Sequence, residues 1–378
     1  MKKVLIFYAS YGGGHLSAAK SIEETLTINY PEMETKLIDC MKYVNKTIEK
    51  ITTTAYKEMA KKFPWAWGKV YSDSQKGPLA HISSYSNKVM AVKLLKLLRE
   101  EKPDMVISTH PFGSQMCSYL KRKGKINCKI ATIMTDFAPH DQWLVGQDYI
   151  DAIFVSHEQM KQEIMQKGVA LEKIFSTGIP ISKRFSEKKD TPKIKQTYNL
   201  QEGKQTVLFF GGGEFGLGKT KTLMIFEILV KQFPFLQIIA ISGKNPKMKA
   251  AFEEIVQQNH SENHVCLLEF SKEIPELMAV SDFVVTKPGG LTVSESLASG
   301  LPLILINPIP GQEEENALFL EKKHVGIWIK KNDAIVEKLI SFFQNTEQLN
   351  QMKQEVSSLA KPNAAKEICQ IAVGLIKK

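Results

Sequence analysis

Gly213 to Thr220, inside the run FFGGGEFGLGKT, spell G-x-x-x-x-G-K-T, the string of a loop that cradles nucleoside triphosphates. The chemistry that string announces needs a partner. A triphosphatase also wants an apolar strand ending in Asp to hold magnesium. The following apolar runs end otherwise: QIIAIS leads into Gly243, and VCLLEF carries Glu269 within it. The same glycines fit G-x-G-x-x-G through Gly211, Gly213 and Gly216. A dinucleotide site would place an acidic residue at the end of the next strand, where Ser242 stands. What survives is a glycine turn whose backbone amides near Gly213 can approach a phosphate.

A second constellation is richer. Residues 286–317 read TKPGGLTVSESLASGLPLILINPIPGQEEENA. Pro288, Gly289 and Gly290 form a glycine turn after an apolar run, and Leu291 opens a helical segment whose N-terminus can hold a phosphate. Glu295 falls in the early turns of that helix, placed to accept hydrogen bonds from a ribose diol. Gln312, Glu313 and Asn316 follow Gly311 on a loop, and their amide and carboxylate groups suit paired hydrogen bonds with sugar hydroxyls. The combination describes a nucleotide-sugar site. In the first half, GGGH at 12–15, with Gly13 and Gly14 before His15, repeats the arrangement of an apolar run leading into glycines and a helix.

The elements that must position these groups alternate. Short β-branched and aromatic runs separate helix-length segments, which predicts βα units and parallel sheets. Strands are expected at 4–9, 105–109, 129–134 and 152–156, then at 206–210, 237–242, 265–270, 283–286 and 301–306. The reading is an α/β chain of two doubly wound domains, residues 1–190 and 191–378. The polar stretch FSEKKDTPKIKQTYNL, 185–200, is the expected linker. The amphipathic run after Pro362 is a helix that either stays on its own domain or crosses back to the first.

Composition bounds the function classes. The chain has 378 residues, enough for two cores. Five widely spaced cysteines without a C-x-x-C pair point to buried, reduced thiols in a cytoplasmic protein. No run nears the length of a membrane span. Residues 1–190 carry 29 basic against 20 acidic side chains, while the remainder is nearly balanced, so the first half is the one suited to an anionic surface. The cluster KKFPWAWGKVY at 61–71 places Phe63, Trp65 and Trp67 among lysines, a pattern that suits a membrane interface.

The block from Thr286 to Asn316, together with GGGH, THPF at 109–112 and TDF at 135–137, resembles glycosyltransferase family 28, specifically the processive diacylglycerol glucosyltransferases and monogalactosyldiacylglycerol synthases. The resemblance implies a GT-B fold, with two Rossmann-like domains facing a cleft, the first binding acceptor and the second UDP-sugar. It implies inverting transfer of a hexose to diacylglycerol at the inner face of the cell membrane, with no metal or other cofactor and no nucleic acid partner. A base must then take the acceptor's proton. His15 is the first candidate, at a helix N-terminus whose field keeps its ring neutral. Asp136, as base or orienting partner, and His110 follow. For the donor, amides near Gly213 and Gly290 face the diphosphate, Glu295 the ribose, and Gln312, Glu313 and Asn316 the hexose. Phe270 and Ile274 wall the uracil. Glucose and galactose are not separated by these residues. The competing readings are an N-acetylglucosaminyltransferase acting on a polyprenyl-linked precursor, a P-loop protein, and a non-catalytic UDP-sugar sensor.

Overall fold

A computed structural model describes residues 1–10, 12–44, 78–212 and 219–377, with side chains omitted for 78–89. Gly213, Phe63, Trp65 and Trp67 therefore lie outside the described residues. The chain forms two compact units. The first comprises Met1–Lys183, Pro310–Glu315 and Lys361–Lys378, and the second Arg184–Ile309 and Asn316–Ala360.

The first unit is built on a six-stranded parallel sheet in the order β2-β1-β3-β4-β5-β6. Its strands are β1 (Lys2–Tyr8), β2 (Met33–Asp39), β3 (Met105–Ser108), β4 (Lys129–Ile133), β5 (Ala152–Phe154) and β6 (Ile174–Phe175). Strand β1 lies inside the sheet, and its side chains divide between two faces. Leu5 and Phe7 enter one core with Met116 and Ile153. Val4 and Ile6 enter the other with Ile22 and Phe154. The chain crosses from β2 over β1 to β3, so the helices leaving β1 and β3 diverge. Ligands of open α/β sheets sit at such a reversal, beyond the carboxyl ends of the strands.

The second sheet runs β12-β11-β10-β7-β8-β9, also parallel. Its strands are β7 (Thr206–Phe210), β8 (Gln237–Ile241), β9 (Val265–Leu268), β10 (Phe283–Thr286), β11 (Leu303–Leu305) and β12 (Gly326–Trp328). Here the order reverses between β7 and β10. A cluster of phenylalanines, Phe209, Phe226 and Phe252, packs on one face with ring centroids 4.3–5.8 Å apart. Each such ring contributes about 2–3 kcal/mol by leaving water.

One expectation changes, and one alternative left open by the sequence is decided. The stretch at 185–200 is no bare linker. Asp190 caps a helix, Thr191–Thr197, by accepting from the Lys193 amide at 3.3 Å, and Arg184 forks onto Glu276 at 2.9 and 3.1 Å. Lys189 reaches the same carboxylate at 3.4 Å. These charges anchor the segment within the second unit. The last helix, Ala364–Lys377, belongs to the first unit: Ile368, Cys369, Ala372 and Val373 are buried in the core that holds Ile22 and Leu26. Gly178 makes room for its approach, since a Cβ there would lie 2.4 Å from that of Lys361.

Candidate active site

His15 is reached through Gly12, whose φ of 139° few side chains tolerate, and stands in the first turn of the helix Gly13–Asn29. Its surroundings come from two other strands. The Nδ1–H of His15 donates to the carbonyl of Thr109, just past β3, at 2.6 Å. Thr109 also holds the same residue by its main chain, its hydroxyl donating to the His15 carbonyl at 2.8 Å. The hydroxyl of Thr135, past β4, lies 3.2 Å from Nδ1. A carbonyl can only accept, so the proton resides on Nδ1 and the lone pair on Nε2. Burial of the ring lowers its pKa from 6.5 to about 4, against the raising effect of the Thr109 bond.

His110 stands edge-on to His15, with ring centroids 4.7 Å apart. Its Nδ1 accepts from the Phe112 amide at 3.3 Å, capping the helix Pro111–Arg122. That role requires a neutral ring, and burial followed by the charge of His15 holds its pKa well below 6.5. Trp143 completes the group, its ring centroid 6.5 Å from that of His15. Asp136 is buried and follows Thr135 in the chain. The turn it occupies is tied down by His157, whose Nε2–H donates to the Phe137 carbonyl at 2.9 Å while its Nδ1 caps the helix Glu158–Gln166. The structure thus gathers His15, His110, Thr109, Thr135 and Trp143, with Gly13 and Gly14 at the entry. Thr109 and Thr135 open the THPF and TDF segments without having been singled out, and Trp143 carries no motif of its own.

In the second unit the helix Gly290–Ala298 follows β10 with Gly289 as N-cap, which offers no side-chain acceptor to its first-turn amides. Leu291 is buried beneath that turn. Glu295 lies along the helix, and burial alone raises its pKa from 4.5 to about 8. Among the described residues its carboxyl has no hydrogen-bonding side chain to satisfy it. Asn316 is fully buried and donates to the Pro288 carbonyl at 3.0 Å, so it fixes the Pro288–Gly290 turn from below. Gln312 and Glu313, read as loop residues, open the helix Gln312–Lys322, since Glu314 accepts from the Gly311 amide at 3.1 Å and starts the first turn. By contacts these two residues group with the first unit and Asn316 with the second. Phe270 lies past the end of β9 and is 59% exposed, with the Lys244 ammonium 4.9 Å from its ring centroid. Ile274 opens the short helix Ile274–Ala279 beside it in sequence.

Two arrangements of side chains follow from this: a neutral imidazole with one open nitrogen, and a desolvated carboxyl behind a glycine turn. Residues 15–181 match the family model for monogalactosyldiacylglycerol (MGDG) synthase, and residues 206–368 that for the glycosyltransferase family 28 C-terminal domain. The processive diacylglycerol β-glucosyltransferase of Bacillus licheniformis is 30% identical over 97% of this chain and 93% of its own. That of Bacillus mycoides is 32% identical over 97% and 92%. Among solved structures, MurG of Acinetobacter baumannii superposes with a TM-score of 0.66 at 12% identity, covering 99% of this chain and all of its own. The UDP-GlcNAc 2-epimerase of Neisseria meningitidis, bound to UDP-GlcNAc, gives 0.64 at 16%, covering the whole of both chains. These likenesses bear on fold, and with the two parallel sheets they make it GT-B. The chain belongs to glycosyltransferase family 28, in the branch of the processive diacylglycerol glucosyltransferases and monogalactosyldiacylglycerol synthases.

Proposed function

We propose that this glycosyltransferase moves a hexose, glucose in preference to galactose, from a UDP-sugar to the hydroxyl of 1,2-diacylglycerol. It inverts the anomeric carbon, works without a metal or other cofactor, and adds further hexoses to its own product. The first unit takes the acceptor and the second the donor. The observation that carries the reading is the His15 tautomer: Nδ1 is committed to the Thr109 carbonyl, which leaves Nε2 open to accept a proton. Relatives 30–32% identical over nearly the whole chain, named as processive diacylglycerol β-glucosyltransferases, support the choice of sugar and lipid.

In this mechanism the lipid hydroxyl attacks C1 of the hexose, the bond from C1 to the diphosphate breaks, and UDP leaves with the electron pair. The hydroxyl proton passes to Nε2. A ring with a pKa of about 4 is a weak base, yet the hydroxyl becomes strongly acidic as its oxygen bonds to carbon, so transfer late in the step suffices. Backbone amides at the Gly289–Leu291 turn and the helix behind it stabilise the departing diphosphate. Asp136 is the alternative base, or it orients the acceptor. Glu295 takes the ribose diol, while Gln312, Glu313 and Asn316 select the sugar, Asn316 through the turn it fixes.

The protein acts from the cytoplasm on the inner face of the cell membrane. The basic first half and the segment carrying Phe63, Trp65 and Trp67 meet anionic lipid there. Among the described residues no helix is long and apolar enough to cross a membrane.

The test supplies purified protein with UDP-glucose or UDP-galactose, diacylglycerol in mixed micelles with anionic lipid, and EDTA, and weighs the lipid by mass spectrometry. Successive hexose additions from UDP-glucose are expected. Transfer from UDP-galactose alone would reverse the sugar assignment, and transfer only without chelator would overturn the metal-free step. Donor binding with no lipid product would mean another acceptor, with a polyprenyl-linked precursor the next to try.

A further inference from the structure

Expulsion of a nucleoside diphosphate leaves negative charge that glycine turns alone share through partial charges, so a full cation in the second unit would act strongly there. One lysine at the carboxyl edge of the second sheet is held in a way that leaves it available. Lys244 follows Ser242 and Gly243 at the end of β8. Its ammonium rests 4.9 Å from the centre of the exposed Phe270 ring, and among the described residues no carboxylate pairs with it. Nearby Lys249, by contrast, is engaged by Glu269 at 2.5 Å and Glu253 at 3.8 Å.

The backbone brings Lys244 close to Gly211 and Gly212, which follow β7. Strands β7 and β8 stay paired to their ends, the Gly211 amide donating to the Ile241 carbonyl at 2.8 Å. Gly243, with φ of 68°, then lies against Gly212, whose carbonyl is 3.6 Å from where a Gly243 Cβ would stand. Asn245 fixes the other side, its side chain accepting from the Lys247 and Met248 amides at 3.1 and 3.3 Å as cap of the helix Pro246–Gln258. The root of Lys244 is therefore rigid, one strand spacing of about 4.8 Å from β7 and a second from β10, while its four-carbon arm is free. A cation on an exposed aromatic face is held weakly, so an anion within reach displaces it readily.

We propose that Lys244 is a donor-binding residue that leaves the Phe270 ring and donates from Nζ to the diphosphate of a bound nucleoside diphosphate. The inference rests on the UDP-sugar reading above and deepens it. The exchange also uncovers a face of Phe270, against which a planar base can stack. A neutral molecule lacking the diphosphate gives Lys244 nothing to hold, and that difference separates this role from a structural one.

The experiment measures binding of UDP and of uridine by calorimetry to the unmodified protein, Lys244→Met and Lys244→Arg, with circular dichroism confirming the fold of each. Lys244→Met should weaken UDP roughly 10- to 100-fold and leave uridine within about twofold, while Lys244→Arg keeps most UDP affinity. Unchanged UDP affinity in Lys244→Met, or equal losses for UDP and uridine, overturns the assignment. If the unmodified protein itself binds no UDP, the donor reading falls first and takes this one with it.

Discussion

Neutrality is what the base role proposed for His15 requires. An imidazole that titrated near its ordinary value would be partly charged at physiological pH, and a proton on its open nitrogen would block it as a base. With the pKa lowered to about 4, activity should show no acid limb near 6.5 and should fall only as the pH approaches 4. A pH series of kcat checks this. Replacing His15 by Gln should cut kcat by roughly 100- to 10,000-fold with little change in the KM for UDP-sugar. Glu295 makes the opposite case. Its pKa of about 8 leaves it protonated at pH 7, and a ribose diol donating to it, as proposed, would favour the carboxylate. UDP binding at pH 7 should therefore release close to one proton, read from calorimetry in buffers of different ionisation enthalpy, and none at pH 10. The placement of both residues was legible, His15 at the helix start after GGGH and Glu295 on the helix after PGG. Thr109 was not, because its meaning lies in a contact across 94 residues that no local spacing encodes.

Three turns around the His15 cluster are capped by imidazole. His110, His140 and His157 each accept a backbone amide through Nδ1, at 3.3, 3.1 and 3.1 Å. His157 does more than cap, since its other nitrogen holds the turn that carries Asp136. Substitution by Asn should restore the cap but not the tie, and Ala should lose both. Denaturant titration should find Ala less stable by about 1–3 kcal/mol, with Asn between it and the unaltered protein. The same distinction between local and remote signals explains which elements the sequence reveals. Interior strands such as β1, β7 and β10 are apolar on both faces and were visible as runs. The unforeseen ones, β2, β6 and β12, are all sheet edges. Strand β2 reads METKLID, polar along most of its length because it pairs on one side only, and β6 and β12 span two and three residues, too short for any period.

At the scale of the molecule, the first unit is discontinuous in sequence, closed by the helix Ala364–Lys377 against the helix Gly13–Asn29. Removing residues 361–378 should expose the apolar patch around Ile22 and Leu26 and lower the melting temperature of the first unit. The second unit, whose phenylalanine core does not include that helix, should melt as before, so calorimetry would resolve one shifted transition and one unshifted. The two doubly wound sheets were legible as alternation of strands and helices; the return of the last helix was not, because an amphipathic face states that it needs a partner without naming it. The same feature bears on how the protein is born. A ribosome adding about 5–20 residues per second finishes the first sheet well before it reaches residue 361, so for about 10 s or more part of one face waits uncovered beside the helix Gly13–Asn29. The second unit, later in the chain, can complete its core sooner, and the first residues synthesised are among the last to be sealed.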